Sequence, residues 1–334
     1  MAVLGLLCVG GLVTSHGVGM AVPDWPNTFG YNMFFFPFSK WVGGIFYEHS
    51  HRLFASGVGF LTIILVLWLA LKEDRRWLRW LGVGALFTVI LQGVLGGLRV
   101  VWMKDEIGIF HAALAQMYFA LVCAIALFSS RWWVEVGQPV KFARGFQSVR
   151  KLALWTSVLI FAQLLLGATM RHQHAGLSIP DFPLAYGKLW PATDANSITQ
   201  YNQARTEALA LNPITVFQVW LQMFHRIAAL GICLMVAGTT WKGFRSLPPG
   251  FVRRFLLAWP FLIGAQIILG AATIWTNKSA DVATAHVAVG ALSLVTGVLL
   301  VLSCSRVLWS GPIRVRKQTV SHDQPIRAFM EVPA

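Results

Sequence analysis

Apolar stretches about twenty residues long recur along this chain, near 51–71, 79–98, 108–130, 151–170, 214–240, 255–275 and 282–305. A helix of that length crosses about 30 Å of hydrocarbon. An eighth stretch, Ala2 to Val13, is too short to do so alone. With 56% hydrophobic residues, 12% charged residues and a mean hydropathy of +0.63, the composition is far from that of a soluble domain. The reading is an all-α integral membrane protein.

A formal charge of +14 raises the possibility of a nucleic-acid partner, but the positions of the basic residues argue for membrane orientation instead. Four Lys or Arg fall in 72–79, five in 131–151, four in 242–254 and five from Arg306 onward, together 18 of the 27. The positive-inside rule puts these segments, and both termini, in the cytoplasm. The segments 15–47, 99–107, 171–213 and 276–281 then face outward, so YEHSHR (47–52) lies on the outer side. Cys8, Cys123, Cys233 and Cys304 lie in or beside apolar stretches without CxxC spacing, which predicts no disulfide, zinc site or covalent haem.

The chain repeats itself. PDWPNTFG (23–30) returns as PDFPLAYG (180–187), and His51-Arg52 returns as His225-Arg226. Gln92 and Gln266 each follow the corresponding histidine by 41 residues; His111 and His286 come 19 and 20 residues later. A Q-x-x-L-G-[GA] motif occurs as LQGVLGG, AQLLLGA and AQIILGA on the third, fifth and seventh helices, where small residues let backbones approach closely within lipid. The predicted fold is eight transmembrane helices in two parallel-repeat four-helix bundles, 1–145 and 146–309, followed by a cytoplasmic tail, 310–334. Aligning the repeats pairs Met1 with Val158 and leaves 151–157 unmatched, which suggests a start several residues upstream. A signal peptide is the rival reading of the first stretch, but no basic residue precedes it. The outer loop of the second half is longer by a polar segment, about 190–213, that offers a lid or a partner surface.

His51, His111, His225 and His286 occupy matching places near the outer ends of the second, fourth, sixth and eighth helices. A lone histidine on a membrane helix can simply hydrogen-bond a neighbour. Two pairs with spacings of 60 and 61 residues weaken that reading. Imidazoles projecting from facing helices into a bundle core suit haem iron, whereas zinc or copper would bring Cys, Met or carboxylate at short spacing. Arg52 and Arg226, beside two of the histidines, are candidates for the haem propionates or, alternatively, snorkel to the outer interface. His49 points away from His51 and reads as an interfacial polar residue, and His16, His172, His174 and His322 read as solvated.

Glu48 lies three residues before His51, and its counterpart before His225 is Gln222. A lone carboxylate beside one haem is a burden in low dielectric unless it has work to do. That asymmetry points to chemistry in the first half and electron transfer in the second. A structural ion pair with Arg52 at i+4 is the competing account.

In the order and spacing of these features, E-x-x-H-R at Glu48, His51 and Arg52, the PDWP loop, His111, His225 and His286, the chain resembles the haem A synthase family of respiratory-oxidase assembly proteins over essentially its whole length. The resemblance implies oxidation of the C8 methyl of haem O to a formyl group by successive O2-dependent hydroxylations. It also implies His225 and His286 as axial ligands of a resident haem b, His51 and His111 as the pair receiving haem O, and Glu48 as the essential carboxylate. Some bacterial members carry a cysteine pair in the first outer loop; this chain has none there and resembles the cysteine-free type. Expected partners are membrane lipid, a haem O synthase and an electron donor, with no nucleic acid. The absence of a transit-peptide pattern points to a bacterial plasma membrane. A dihaem cytochrome b that only relays electrons and a haem carrier or assembly chaperone are the alternatives.

Overall fold

The computed structural model describes residues 1–136, 142–209 and 213–309, so the expected tail 310–334 and His322 lie outside the described residues. Regular structure among the described residues is helical. It comprises α1 (Ala2–Ser15), α2 (Gly43–Lys72), α3 (Arg76–Val101), α4 (Ile107–Phe128), the short α5 (Arg131–Glu135), α6 (Ala143–His172), α7 (Ala195–Leu209), α8 (Val216–Ser246), α9 (Phe251–Trp275) and α10 (Ala280–Leu308). Seven of these, α2, α3, α4, α6, α8, α9 and α10, are long and apolar enough to cross a membrane. The protein is a multi-pass, all-α membrane protein. At 14 residues, α1 extends only about 21 Å.

Helix α2 extends well beyond its apolar run. Helix α2 begins at Gly43, where extended Val42 meets a glycine at φ +53°, so YEHSHR lies inside the helix rather than ahead of it. Hydropathy marks a boundary at charged residues, but these have partners and the helix continues through them. Helix α8 starts at a capping box: Gln218 Oε1 accepts from the Thr215 N–H at 2.9 Å while the Thr215 hydroxyl receives the Gln218 N–H. Such a cap contributes about 1 kcal/mol.

Successive spans pack side by side, α1 on α2, α2 on α3 and α3 on α4, then α6 on α8, α8 on α9 and α9 on α10. Helix α10 is the hub, touching α1, α4, α6 and α9, and 61% of its apolar window is buried against at most a third for any other span. Lipid supplies no hydrophobic drive between helices, so close packing must hold them. Small residues on α10 permit it. Gly297 leaves room for the fully buried Trp259 of α9 and Ser157 of α6, and the Trp259 indole N–H donates to Ser293 O at 2.9 Å. The four cysteines are unpaired.

The segments that carry the PDxP motifs are built rather than loose. The extra segment of the second half folds back as α7. Tyr201 stacks on Tyr186 with ring centroids 3.5 Å apart, Asn202 brackets Ile214 through its N–H and carbonyl, and Arg205 donates to Leu177 O. Beneath it Ile179, Ala185, Ile214, Val219 and Met223 form a small apolar core over the outer end of α8. Burial pushes the Tyr186 hydroxyl up to about 12, and it donates to Ser178 O.

Candidate functional site

Each of the four histidines is seated on a glycine of the neighbouring helix. The His51 ring of α2 lies over Gly10 of α1, where a Cβ would come 2.9 Å from its Cε1; His111 of α4 lies over Gly96 of α3 at 3.4 Å. In the second half His225 of α8 covers Gly167 of α6 at 3.4 Å, and His286 of α10 covers Gly270 of α9 at 3.1 Å. Three of these glycines belong to the repeated glutamine motif, one turn after the glutamine and therefore on its face. Gln92 donates to the His111 carbonyl at 3.0 Å and Gln163 to the His225 carbonyl at 2.8 Å, and the Gln266 Nε2 lies 3.3 Å from His286 Nε2. The motif thus supplies space and a polar hold for an imidazole. The sequence pattern alone reads as general close packing, and the Q-x-x-x-G spacing on the helix facing three of the four histidines was the signal available.

The Nδ1 of all four rings is buried with no hydrogen-bond partner among the described residues. His51 and His111 are near enough to act on each other electrostatically, and so are His225 and His286. Two buried pairs of imidazoles, each pair drawn from two different helices, form a donor set suited to a metal.

Glu48 and Gln222 make equivalent contacts. Glu48 Oε2 accepts from the Val22 N–H at 2.9 Å and Oε1 from Arg52 at 2.7 Å, and the carboxylate is almost fully buried. Gln222 Oε1 accepts from the Ile179 N–H at 2.6 Å and from Ser178 Oγ at 2.7 Å. Arg52 spends both terminal nitrogens on four bonds, to Glu48 and to the carbonyls of Val22, Asp24 and Asn27. Arg226 holds the carbonyls of Asp181 and Leu184 in the same way. Each aspartate closes its own loop, Asp24 accepting from Phe29 and Gly30 N–H, Asp181 from Tyr186 and Gly187 N–H. Partial burial acts to raise the Asp24 carboxyl, but the Gly30 and Phe29 N–H bonds and the nearby Arg52 guanidinium hold it below its usual value. The two PDxP loops are therefore pinned to α2 and α8 by one scheme.

Two sequence expectations are corrected. His49 is not interfacial: its side chain is wholly buried, with Nδ1 3.2 Å from Thr28 Oγ1 and the rings of Trp41 and Phe36 packed around it. His172 is not solvated: its ring is packed against Gly108 and its Nδ1 lies 3.8 Å from Asp105 Oδ1. A folded loop covers His49, and the start of α4 with Asp105 before it covers His172, which periodicity along one helix does not register. His16 and His174 are exposed, His16 stacking on Tyr47.

Residues 1–298 match the family of the cytochrome oxidase assembly protein, COX15-CtaA. The chain belongs to this family. Among its relatives, the heme A synthase of Lysinibacillus sphaericus is 27% identical over 323 residues, 92% of each chain. That of Geobacillus kaustophilus is 26% identical over 304 residues, 86% of this chain and 83% of the relative. That of Alkalihalophilus pseudofirmus is 25% identical over 291 residues, 86% and 88%. The family match runs through both histidine pairs, both PDxP loops and all but the last turns of α10.

Proposed function

We propose that this protein is a haem A synthase, an oxidoreductase that converts the C8 methyl of haem O to the formyl group of haem A. The observation that carries the reading is the set of four glycine-seated imidazoles with unpartnered nitrogens, in a chain whose relatives are named heme A synthase. That donor set fits a porphyrin. The histidines on facing helices would hold its iron, and the glycines opposite them leave room between the helices. On this reading His225 and His286 hold a resident haem b, and His51 and His111 receive haem O. When bound, the iron and dioxygen supply the oxidation of the methyl carbon.

The chain supplies position and charge. Gly10, Gly96, Gly167 and Gly270 orient the rings, while Gln92 and Gln163 fix the backbone that carries His111 and His225. Arg52 and Arg226 clamp the outer loops beside the sites. Glu48 carries the one feature its twin lacks, a negative charge close to His51, suited to stabilising positive charge or holding a proton at the reacting edge. Its contact to the Val22 N–H is one that Gln222 makes in the other half, so Glu48→Gln removes the charge and keeps the anchor.

The same symmetry favours a second reading. Both oxygens of Glu48 are engaged as a structural ion pair would engage them, as in a dihaem cytochrome b that only relays electrons. Pigment extraction from cells lacking haem A, given a haem O synthase with and without this protein, separates the readings. Haem A or its hydroxylated intermediate is expected with the intact chain and not with Glu48→Gln. Haem O alone in both would overturn the enzymatic reading.

The proposed architecture is two parallel four-helix halves, 1–145 and 146–309, with α1 as the eighth span. In support, α1 seats His51 on Gly10 as α6 seats His225 on Gly167. The proposed orientation puts both termini in the cytoplasm of a bacterial plasma membrane, following the basic segments. A haem O synthase is the proposed supplier of substrate, with a separate electron donor.

A further inference from the structure

Where the ends of α3 and α6 meet the α9–α10 turn, Arg99, Arg171 and Lys278 gather, and one half-buried carboxylate, Asp105, pairs with the first of them. Arg99 donates to Asp105 at 2.8 Å, and Asp105 also faces His172 at 3.8 Å. Arg171 donates to Gly11 O at 2.6 Å and to Ser15 Oγ, whose oxygen lies 3.3 Å from Thr284 Oγ1. Arg171 is within electrostatic reach of both Arg99 and Lys278. The cluster is crowded into place: a Cβ at Gly19 would come 2.7 Å from Arg99 Nη1, and Gly108 lies under the His172 ring. Glu106 and Asp281 nearby in sequence are exposed. Three fixed positive charges against one negative leave an excess of two. Holding like charges together, partly out of water, is unfavourable unless an anion joins them. Arg99 Nε is buried and has no hydrogen-bond partner among the described residues.

The cluster belongs to one pocket. Arg99 acts electrostatically on both His51 and His111, and His172 on His111. At the positions the repeat assigns to Arg99 and Arg171 in the opposite halves stand Thr273 and Thr14, whose hydroxyls return to their own helices at Leu269 O and Gly10 O. Arg52, the guanidinium nearest His51 in sequence, has both terminal nitrogens committed to its loop and Glu48.

We infer that Arg99, Arg171 and Lys278 form the recognition site for the two carboxylates of the porphyrin that enters the His51/His111 pocket. The inference rests on the proposed porphyrin-binding reading and deepens it. Two carboxylates neutralise the excess of two, and charge-assisted bonds to guanidinium fix the macrocycle's rotation, hence which edge meets Glu48. At the positions that correspond to Arg99 and Arg171 the second pair has only the two threonines.

The test compares iron protoporphyrin with its dimethyl ester. Purified protein is titrated with each, following the part of the absorbance that a His111→Ala variant lacks. The free acid is expected to bind at least about tenfold more tightly than the ester, about the effect of one charge-assisted bond. Arg99→Gln and Lys278→Gln should lose most of that preference while binding the ester as the parent protein does, which also shows that they are folded. Unchanged preference in both variants would overturn the inference and leave the reading standing. An equal response to acid and ester in the parent protein would do the same, and would be the result if the cluster binds a lipid phosphate. A protein whose His111-dependent absorbance never appears with either porphyrin overturns the reading and the inference with it.

Discussion

At the residue scale the four histidines owe their setting to what is missing opposite them. An imidazole over a glycine approaches the facing backbone closely, and a side chain as large as leucine would displace it. Gly96→Leu and Gly270→Leu should each abolish the low-spin haem absorbance of the corresponding pair. Gly93→Leu and Gly264→Leu, one turn or two away where a Cβ meets nothing within 4 Å, should leave it intact. Equal spectra in all four variants would remove the seating argument. Glu48 gives a second case. Glu48→Ala strands the Val22 N–H and one bond of Arg52 in a buried setting, expected to destabilise by about 3–5 kcal/mol. Glu48→Gln keeps the backbone contact, as Gln222 does, and should lose less, about 1–3 kcal/mol. Denaturation midpoints of the two variants check the order.

At the element scale, the spans were legible because runs of apolar residues declare themselves, while the functional ends were not. Helices α2 and α8 continue through residues that hydropathy scores as a boundary, since Glu48, Arg52, Gln222 and Arg226 are satisfied by loops far from them in sequence. The repeat spacing did locate the four histidines and the Glu48/Gln222 contrast. What it missed, burial of His49 and His172 and the meeting of Arg99 with Arg171, depends on how separate loops and helices come together. The PDWP clamp carries a pH prediction. The folded Asp24 carboxyl sits below its ordinary value of 3.8, so its contribution is full above that value and is lost as pH falls through the lower folded one. Pepsin cleavage at the 24–31 loop should therefore rise only below about pH 4, whereas Asp24→Asn should be cut across pepsin's working range. Within the helical core, Trp259→Ala empties the space Gly297 leaves on α10 and should destabilise by about 3–5 kcal/mol.

At the scale of the whole molecule, two similar histidine pairs are joined through α10 and differ in their surroundings. One has Glu48 and the Arg99 cluster; the other has Gln222 and the cover of α7. That division suits one pocket that exchanges its porphyrin and one that keeps it. The proposed orientation follows from the basic segments. Single cysteines at Lys188 and Lys242 should react with a membrane-impermeant thiol reagent from opposite sides, Lys188 from outside in intact cells and Lys242 only after lysis. Both halves of the account depend on paired imidazoles meeting iron. The most direct measurement is the electron paramagnetic resonance spectrum of the purified oxidised protein. The account predicts a low-spin ferric haem with two imidazole ligands that is lost in His225→Ala and in His286→Ala and kept in His51→Ala. A protein without that signal, or one whose signal survives the loss of both His225 and His286, would contradict it.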